Sequence, residues 1–429
     1  MDGSSVSGVT RRHIHREPPR SKRRTNQRPP PVSFVGATNK RDWLLATRRA
    51  ALTTLARCPQ NADVNESTTM SIAFGIFDHI EGIAGTPMHQ LLQDRLELIR
   101  MADAAGFQGY HLAEHHGSDL CMAPNQEIFL AAAAQATRQI RIGPMIKILP
   151  IHHPVRVIED ICLLDQLTQG RVEYGVGRGI AAIEHFWFDG DWFASSERFG
   201  EALGLVLQGL RTGRVCGEGP HYKFPRIDLN MGPYQKPNPP FWYPGNPVTA
   251  GKYGLNLIWA GPIPQAAYDL YVKTWDENAG NAVRAEAPGA RPRVGTTELL
   301  VVHPDETKAK EIAARGWRGL MRRVVHVHTF DRLALSAHDA EAALNPLARG
   351  AQALLADGGD KLLPMLTANS GTPAQVVERL SAYIAEGRSD YLLLQIPTGD
   401  MTFAEARDSL RLFIDEVMPA LTHVAPANA

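Results

Sequence analysis

Cysteine is scarce in this chain of 429 residues: Cys58, Cys121, Cys162 and Cys216 are its four, and no two form a CxxC pair. That excludes a disulfide framework and a zinc site built on paired thiolates. Reduced thiols and a cytoplasmic location are therefore expected. No apolar run approaches the roughly 20 residues that a bilayer-spanning helix needs, so no membrane role is expected. There is no GxSxG, so the nucleophile elbow of a hydrolase is missing. No G-x-G-x-x-G follows the first strand-like run, which ends Phe77-Asp78-His79. An open, doubly wound nucleotide-binding sheet would need that loop. Net charge is absent as well, since 45 Lys and Arg balance 45 Asp and Glu.

The zero net charge hides an asymmetry. Residues 1–69 carry 13 Lys and Arg against 5 Asp and Glu, leaving 32 against 40 for the rest. The basic residues of the head crowd before Pro29-Pro30-Pro31. Such a segment buries too little apolar area to offset its ordering entropy. Residues 1–69 are read as a dispensable, disordered N-terminal extension, because Met70 opens directly into a strand. Arg11-Arg12 is a twin arginine, but Glu17-Pro18-Pro19 stands where an export signal needs an apolar core. The acidic remainder argues against a nucleic-acid partner.

From Met70 onward the pattern is regular. Apolar strand-like runs at 71–77, 109–113, 140–149, 171–176, 240–243, 255–259, 297–302 and 391–396 alternate with helix-like runs. Near-continuous apolar strands between helices predict a parallel sheet covered on both faces. Eight such units predict one closed α/β barrel with insertions, spanning 70–424. Residues 325–370 exceed an ordinary connection and are read as an insertion. It is expected to be helical from His338 to Leu355, with a break at Pro346.

In such a barrel the chemistry sits after the strand C-termini. The second strand delivers Glu114, His115 and His116. Adjacent residues leaving a strand point to opposite sides, so one imidazole faces the cavity while the other packs outward. That geometry works against a shared metal, and no metal is expected. Glu114 is positioned to fix the tautomer of a neighbouring ring. The fourth strand ends Val176-Gly177-Arg178-Gly179, where glycine admits a ligand to the backbone and the guanidinium matches a phosphate. Gly245, Asn246 and Thr249 form a second phosphate candidate at a strand-to-helix turn. The cluster Phe186-Trp187-Phe188 with Trp192-Phe193 either lines an apolar substrate pocket or packs as a loop.

These residues resemble the bacterial-luciferase-like family of flavin-dependent monooxygenases. The likeness runs from Met70 to about Leu421. It is carried by Ala113-Glu114-His115-His116, by Leu149-Pro150-Ile151-His152-His153-Pro154-Val155-Arg156 and by Leu164-Asp165-Gln166-Leu167-Thr168-Gln169-Gly170-Arg171. It returns at Gly371-Thr372-Pro373-Ala374-Gln375-Val376 and at Glu416-Val417-Met418-Pro419. The resemblance implies a (β/α)8 TIM barrel that binds reduced FMN, supplied by a separate flavin reductase, and uses dioxygen to oxygenate a small organic substrate, which the aromatic loop suggests is apolar. It implies His115 as the catalytic imidazole, Arg178 and Gly179 at the flavin phosphate, and the Gly245, Asn246 and Thr249 loop as a second phosphate contact. It also implies a non-prolyl cis peptide under the flavin near Met145-Ile146. A homodimer is expected. Gly177 stands where light emitters of the family carry a reactive cysteine, so light emission is not expected. The rival readings are a deazaflavin-dependent hydride-transfer enzyme of the same superfamily and a flavin-binding subunit without catalysis.

Overall fold

The computed structural model describes residues 72–286, 290–331, 335–336, 339, 367–421 and 424. The basic extension and the expected helix at 338–355, with its break at Pro346, lie outside the described residues, apart from position 339.

Each apolar run of the sequence forms a strand. They are β1 (Ala73–Asp78), β2 (Gly109–Leu112), β3 (Arg141–Pro144), β4 (Lys147–Ile148) and β5 (Tyr174–Gly177). After a hairpin, β6 (Arg214–Glu218) and β7 (Lys223–Asp228), come β8 (Phe241–Pro244), β9 (Asn256–Ala260), β10 (Val294–Leu299) and β11 (Tyr391–Gln395). The main sheet runs β3-β2-β1-β11-β10-β9-β8-β5-β4, and every pairing in it is parallel. Its two ends, β3 and β4, are halves of one strand divided at the cis peptide Met145–Ile146. The sheet therefore closes on itself as an eight-stranded barrel, the fold that the alternating pattern implied.

The helices cover the outside. They are α1 (Met88–Ala104), α2 (Gln126–Ala136), α3 (Pro154–Thr168), the short α4 (Ala182–Trp187), α5 (Ser195–Thr212), α6 (Pro247–Lys252) and α7 (Gln265–Glu277). Then come α8 (Glu306–Thr329), α9 (Pro373–Ala385) and α10 (Phe403–Leu412). Local chemistry sets their ends. Pro154 opens α3 after His153, where a missing N–H costs nothing. Thr372 and Thr402 close reciprocal capping boxes with Gln375 and Glu405.

Three apolar clusters follow from strand alternation. Between sheet and helices lies the large core, with Ile76, Ile99, Leu112, Val176 and Leu394 among its residues. Inside the barrel, Met145, Trp242, Ile258, Tyr391 and Leu393 pack together, with Phe77 and Ile146 against them. The third cluster joins Leu120 and Ile183, on the loops after β2 and β5, to Leu320, Met321, Val324 and Val327 of α8. The last turns of α8 continue to Thr329 because Val324 and Val327 are buried against the loops at the strand C-termini. The β6–β7 hairpin, antiparallel and apart from the barrel, lacked a counterpart in the sequence reading. Its alternation is weak, with only Val215 and Gly217 fully buried along both strands.

Candidate active site

Alternation along β2 turns His111 into the barrel, where its Nε2 lies 3.0 Å from the Tyr391 hydroxyl. His115 is four residues further and shares that side. Its ring is 8% exposed, and Nδ1 lies 3.2 Å from Oε1 of the fully buried Glu184. The same oxygen accepts the backbone N–H of His116 at 2.9 Å. Glu184 belongs to α4, 69 residues along the chain from His115. Sequence reasoning did not single it out. The available signal was one acidic residue set between Ala181-Ala182-Ile183 and Phe186-Trp187-Phe188.

Glu114, expected to orient a neighbouring ring, faces the other way and contacts the ring of His116, not that of His115. Its Oε1 lies 3.1 Å from His116 Nε2 and 2.6 Å from His152 Nε2. Its Oε2 accepts the Ile148 N–H at 2.5 Å. Burial alone would raise this carboxyl, but the charges of Lys147 and His152 and the two imidazole hydrogen bonds hold it well below the usual range. Glu114, His116 and His152 place three possible ligand atoms within 4.8 Å of one another. The Lys147 ammonium, 3.7 Å from the same Oε1, opposes a second cation there. The cluster is therefore read as a hydrogen-bonded one. The Phe188 ring covers it, 4.6 Å from His116.

Arg178 follows β5. Its guanidinium lies 4.3 Å above the Trp192 ring and donates through Nη1 to Ser195 Oγ at 3.3 Å. Among the described residues no carboxylate pairs with it, and burial pulls its pKa down. Its carbonyl oxygen lies 2.9 Å from Nε2 of His185. Burial pushes that imidazole down to about 4, so its neutral N–H is the donor. Adjacent residues of α4 thus hold both halves of the site: Glu184 holds His115, and His185 holds Arg178.

Tyr243 completes this side. Burial raises its phenol, while the Thr249 hydroxyl and the Arg178 charge act in the opposite direction. Gly179 has φ +85°, and a Cβ there would lie 2.9 Å from the Ile148 side chain. Gly245 has φ +108° with open space around it. Asn246 caps α6, accepting from the N–H groups of Val248 and Thr249 at 2.8 and 3.2 Å. Those two donors are engaged, leaving the hydroxyls of Thr249 and Tyr243 as the polar groups of this turn. Met145 lies in the barrel interior. The aromatic loop divides. Trp192 is the buried platform of Arg178, whereas Trp187, Phe188 and Phe193 remain exposed.

A further imidazole stands at the mouth. The ring of His79, after β1, lies nearly parallel to that of His115, 5.9 Å away at 12°. Burial and the neighbouring His115 push it down to about 3. Beside the loop that follows these groups, Gly117, Ser118, Asp119 and Met122 face Arg322, Arg323 and His326 of α8 across a cleft of about 690 Å³.

The parallel barrel thus gathers at its strand ends an oriented imidazole and an arginine with no carboxylate partner among the described residues. The chain belongs to the luciferase-like monooxygenase family, whose model matches residues 72–390. It is 26% identical over 363 residues to the oxygenase component of the flavin-dependent trigonelline monooxygenase of Acinetobacter baylyi, covering 81% of this chain and 95% of that one. It is 39% identical over 195 residues to an uncharacterised protein of Sinorhizobium fredii, covering 44% and 57%. It is 32% identical over 166 residues to limonene 1,2-monooxygenase of Rhodococcus erythropolis, covering 38% and 43%. In these last two comparisons the chain spans about half the length of its relative. The solved oxygenating constituent of 3,6-diketocamphane monooxygenase from Pseudomonas putida, in complex with FMN, superposes with a TM-score of 0.63. It is 20% identical and covers 82% of this chain and 98% of that one. An F420-dependent secondary alcohol dehydrogenase superposes at 0.59 with 18% identity, covering 82% and 99%. At these identities the likeness is one of fold. No helix among the described residues is long and apolar enough to cross a membrane.

Proposed function

We propose that this chain is the oxygenase of a two-component flavin-dependent monooxygenase, taking reduced FMN from a separate reductase and oxygenating a small, largely apolar organic substrate with dioxygen. The observation that carries the reading is α4, which ties the imidazole of His115 and the backbone of Arg178 to one short helix. The residues fit the phosphate of a flavin mononucleotide. A partly buried guanidinium without a carboxylate partner, on an aromatic face, leaves donors free for an oxyanion. Ser195, Thr249 and Tyr243 supply neighbouring hydroxyls. Gly179 provides the close approach of backbone that a bound ring system needs.

Reduced flavin supplies the electrons with which dioxygen is activated. The protein's part is to bind, orient and shield. With Glu184 as a carboxylate, His115 carries its hydrogen on Nδ1, and Nε2 is left to give or take a proton at the mouth. An imidazole held this way acts as a general acid or base. Glu114, Lys147 and His152 build the wall behind it. The aromatic cover of Trp187 and Phe188 supports an apolar substrate skeleton.

Arg178→Ala is expected to weaken FMN binding by about 1.5–3 kcal/mol, the worth of a hydrogen bond to a charged group. Riboflavin, which has no phosphate, should bind with nearly unchanged affinity. Titration with both ligands checks this, and equal losses for the two would remove Arg178 from the phosphate role.

A further inference from the structure

His79 leaves β1 on the side of the strand that Phe77 presents to the barrel interior. Its ring packs 4.8 Å from Phe77 and lies parallel to His115. Neither of its nitrogens has a hydrogen-bond partner among the described residues. On the neighbouring strand β11, the alternation that sends Tyr391 and Leu393 into the interior sends Gln395 the same way. The Oε1 atom of Gln395 is buried and also unbonded. The surrounding wall is apolar, with Phe77, Met145 and Ile146. The unpaired Gln395 oxygen costs free energy in such a place unless a ligand satisfies it, while the half-buried His79 ring stands at the edge of the same wall. His79 is held neutral by burial, so it offers one donor and one acceptor.

We infer that His79 and Gln395 receive a polar atom of the substrate beside His115, so that the substrate is a small organic molecule bearing a hydroxyl, carbonyl or ring nitrogen on its apolar skeleton. This rests on the monooxygenase reading for the identity of the occupant as substrate. It goes beyond that reading by assigning two specificity-determining side chains and a chemical class. Neither side chain hydrogen-bonds to His115, so they select and orient, while His115 handles the proton.

The test uses isosteric probe pairs that differ in one polar atom, phenol with toluene and cyclohexanone with methylcyclohexane. Binding is measured by calorimetry to the full chain, with and without FMN. The wild-type chain should prefer the polar member of at least one pair by about 10- to 100-fold, the cost of leaving the buried Gln395 oxygen unmet. His79→Phe and Gln395→Leu should each reduce that preference, while His79→Gln, which keeps a donor and an acceptor, should retain part of it. FMN affinity should be unchanged in all three. No preference in the wild-type chain, or a preference that survives both His79→Phe and Gln395→Leu, overturns the inference. Weakened FMN binding with an intact preference also overturns it, because the two side chains would then serve the cofactor. If FMN fails to bind the wild-type chain while the polar preference and its loss are seen, the cofactor reading fails and the polar subsite stands.

Discussion

At His115 the position of one hydrogen decides what the ring can do. Glu184 takes the Nδ1 side and leaves Nε2 without a hydrogen-bond partner among the described residues, at the strand ends where this fold performs its chemistry. His115→Ala should therefore fold and bind FMN much as the parent does. Its substrate oxygenation should fall by roughly 100- to 10,000-fold, the usual contribution of a positioned acid or base. Reduced flavin should still consume dioxygen, with hydrogen peroxide as the product, so the ratio of peroxide to oxygenated product is the quantity to measure. His116→Ala acts differently. It removes a hydrogen bond to Glu114 and the packing of Phe188, and should cost about 1–2 kcal/mol of stability in denaturant unfolding. Full coupled turnover in His115→Ala together with its loss in His116→Ala would exchange the two roles.

At the scale of elements, single side chains tie neighbouring units of the barrel together. Asp103, in the last turn of α1, accepts the backbone N–H groups of Arg138, Gln139 and Ile140 at 2.9, 2.8 and 2.7 Å. Those residues lead directly into β3, so one carboxylate sets the height at which the next strand enters the sheet. Asp103→Ala leaves three donors unmet and is expected to destabilise by about 3 kcal/mol or more, read from urea unfolding. A loss below about 1 kcal/mol would mean that water replaces the carboxylate without penalty. The same scale explains where the reading of the sequence succeeded. Near-continuous apolar runs are local signals, and they located the strands of the barrel. The burial of the last turns of α8 carries no such signal, because it depends on Leu120 and Ile183, which only the closed barrel brings near.

For the molecule as a whole, the pH dependence of stability offers a test of burial outside the site. Glu298 is buried beside Asn369, and burial pushes its carboxyl up to about 7. A raised folded-state pKa gives stability that is complete below the ordinary carboxylate range and is lost as pH rises through about 7. Glu298→Gln should therefore melt close to the parent at pH ~5 and be more stable at pH ~8, by on the order of 2 kcal/mol. Equal differences at both pH values would show that the carboxyl is not held neutral. A second global test concerns the basic extension. A chain that starts at Met70 should melt within about 2 °C of the full chain, a shift worth no more than about 1.5 kcal/mol for a domain of this size, and should bind FMN equally. A fall of several degrees would show that residues 1–69 stabilise the barrel.

The sequence by itself determined the barrel class, the alternation of its elements and the family, because these rest on periodicity and on short motifs contiguous in the chain. It also placed His115 and Arg178 at strand ends by counting from the apolar runs. The tertiary structure alone decided which groups those residues meet. Glu184 reaches His115 across 69 residues, and Gln395 and His79 come from strands that are neighbours only because the last strand pairs with the first. A side chain's partner depends on register, closure and loop course. Those are properties of the whole closed sheet and leave no local trace in the order of residues.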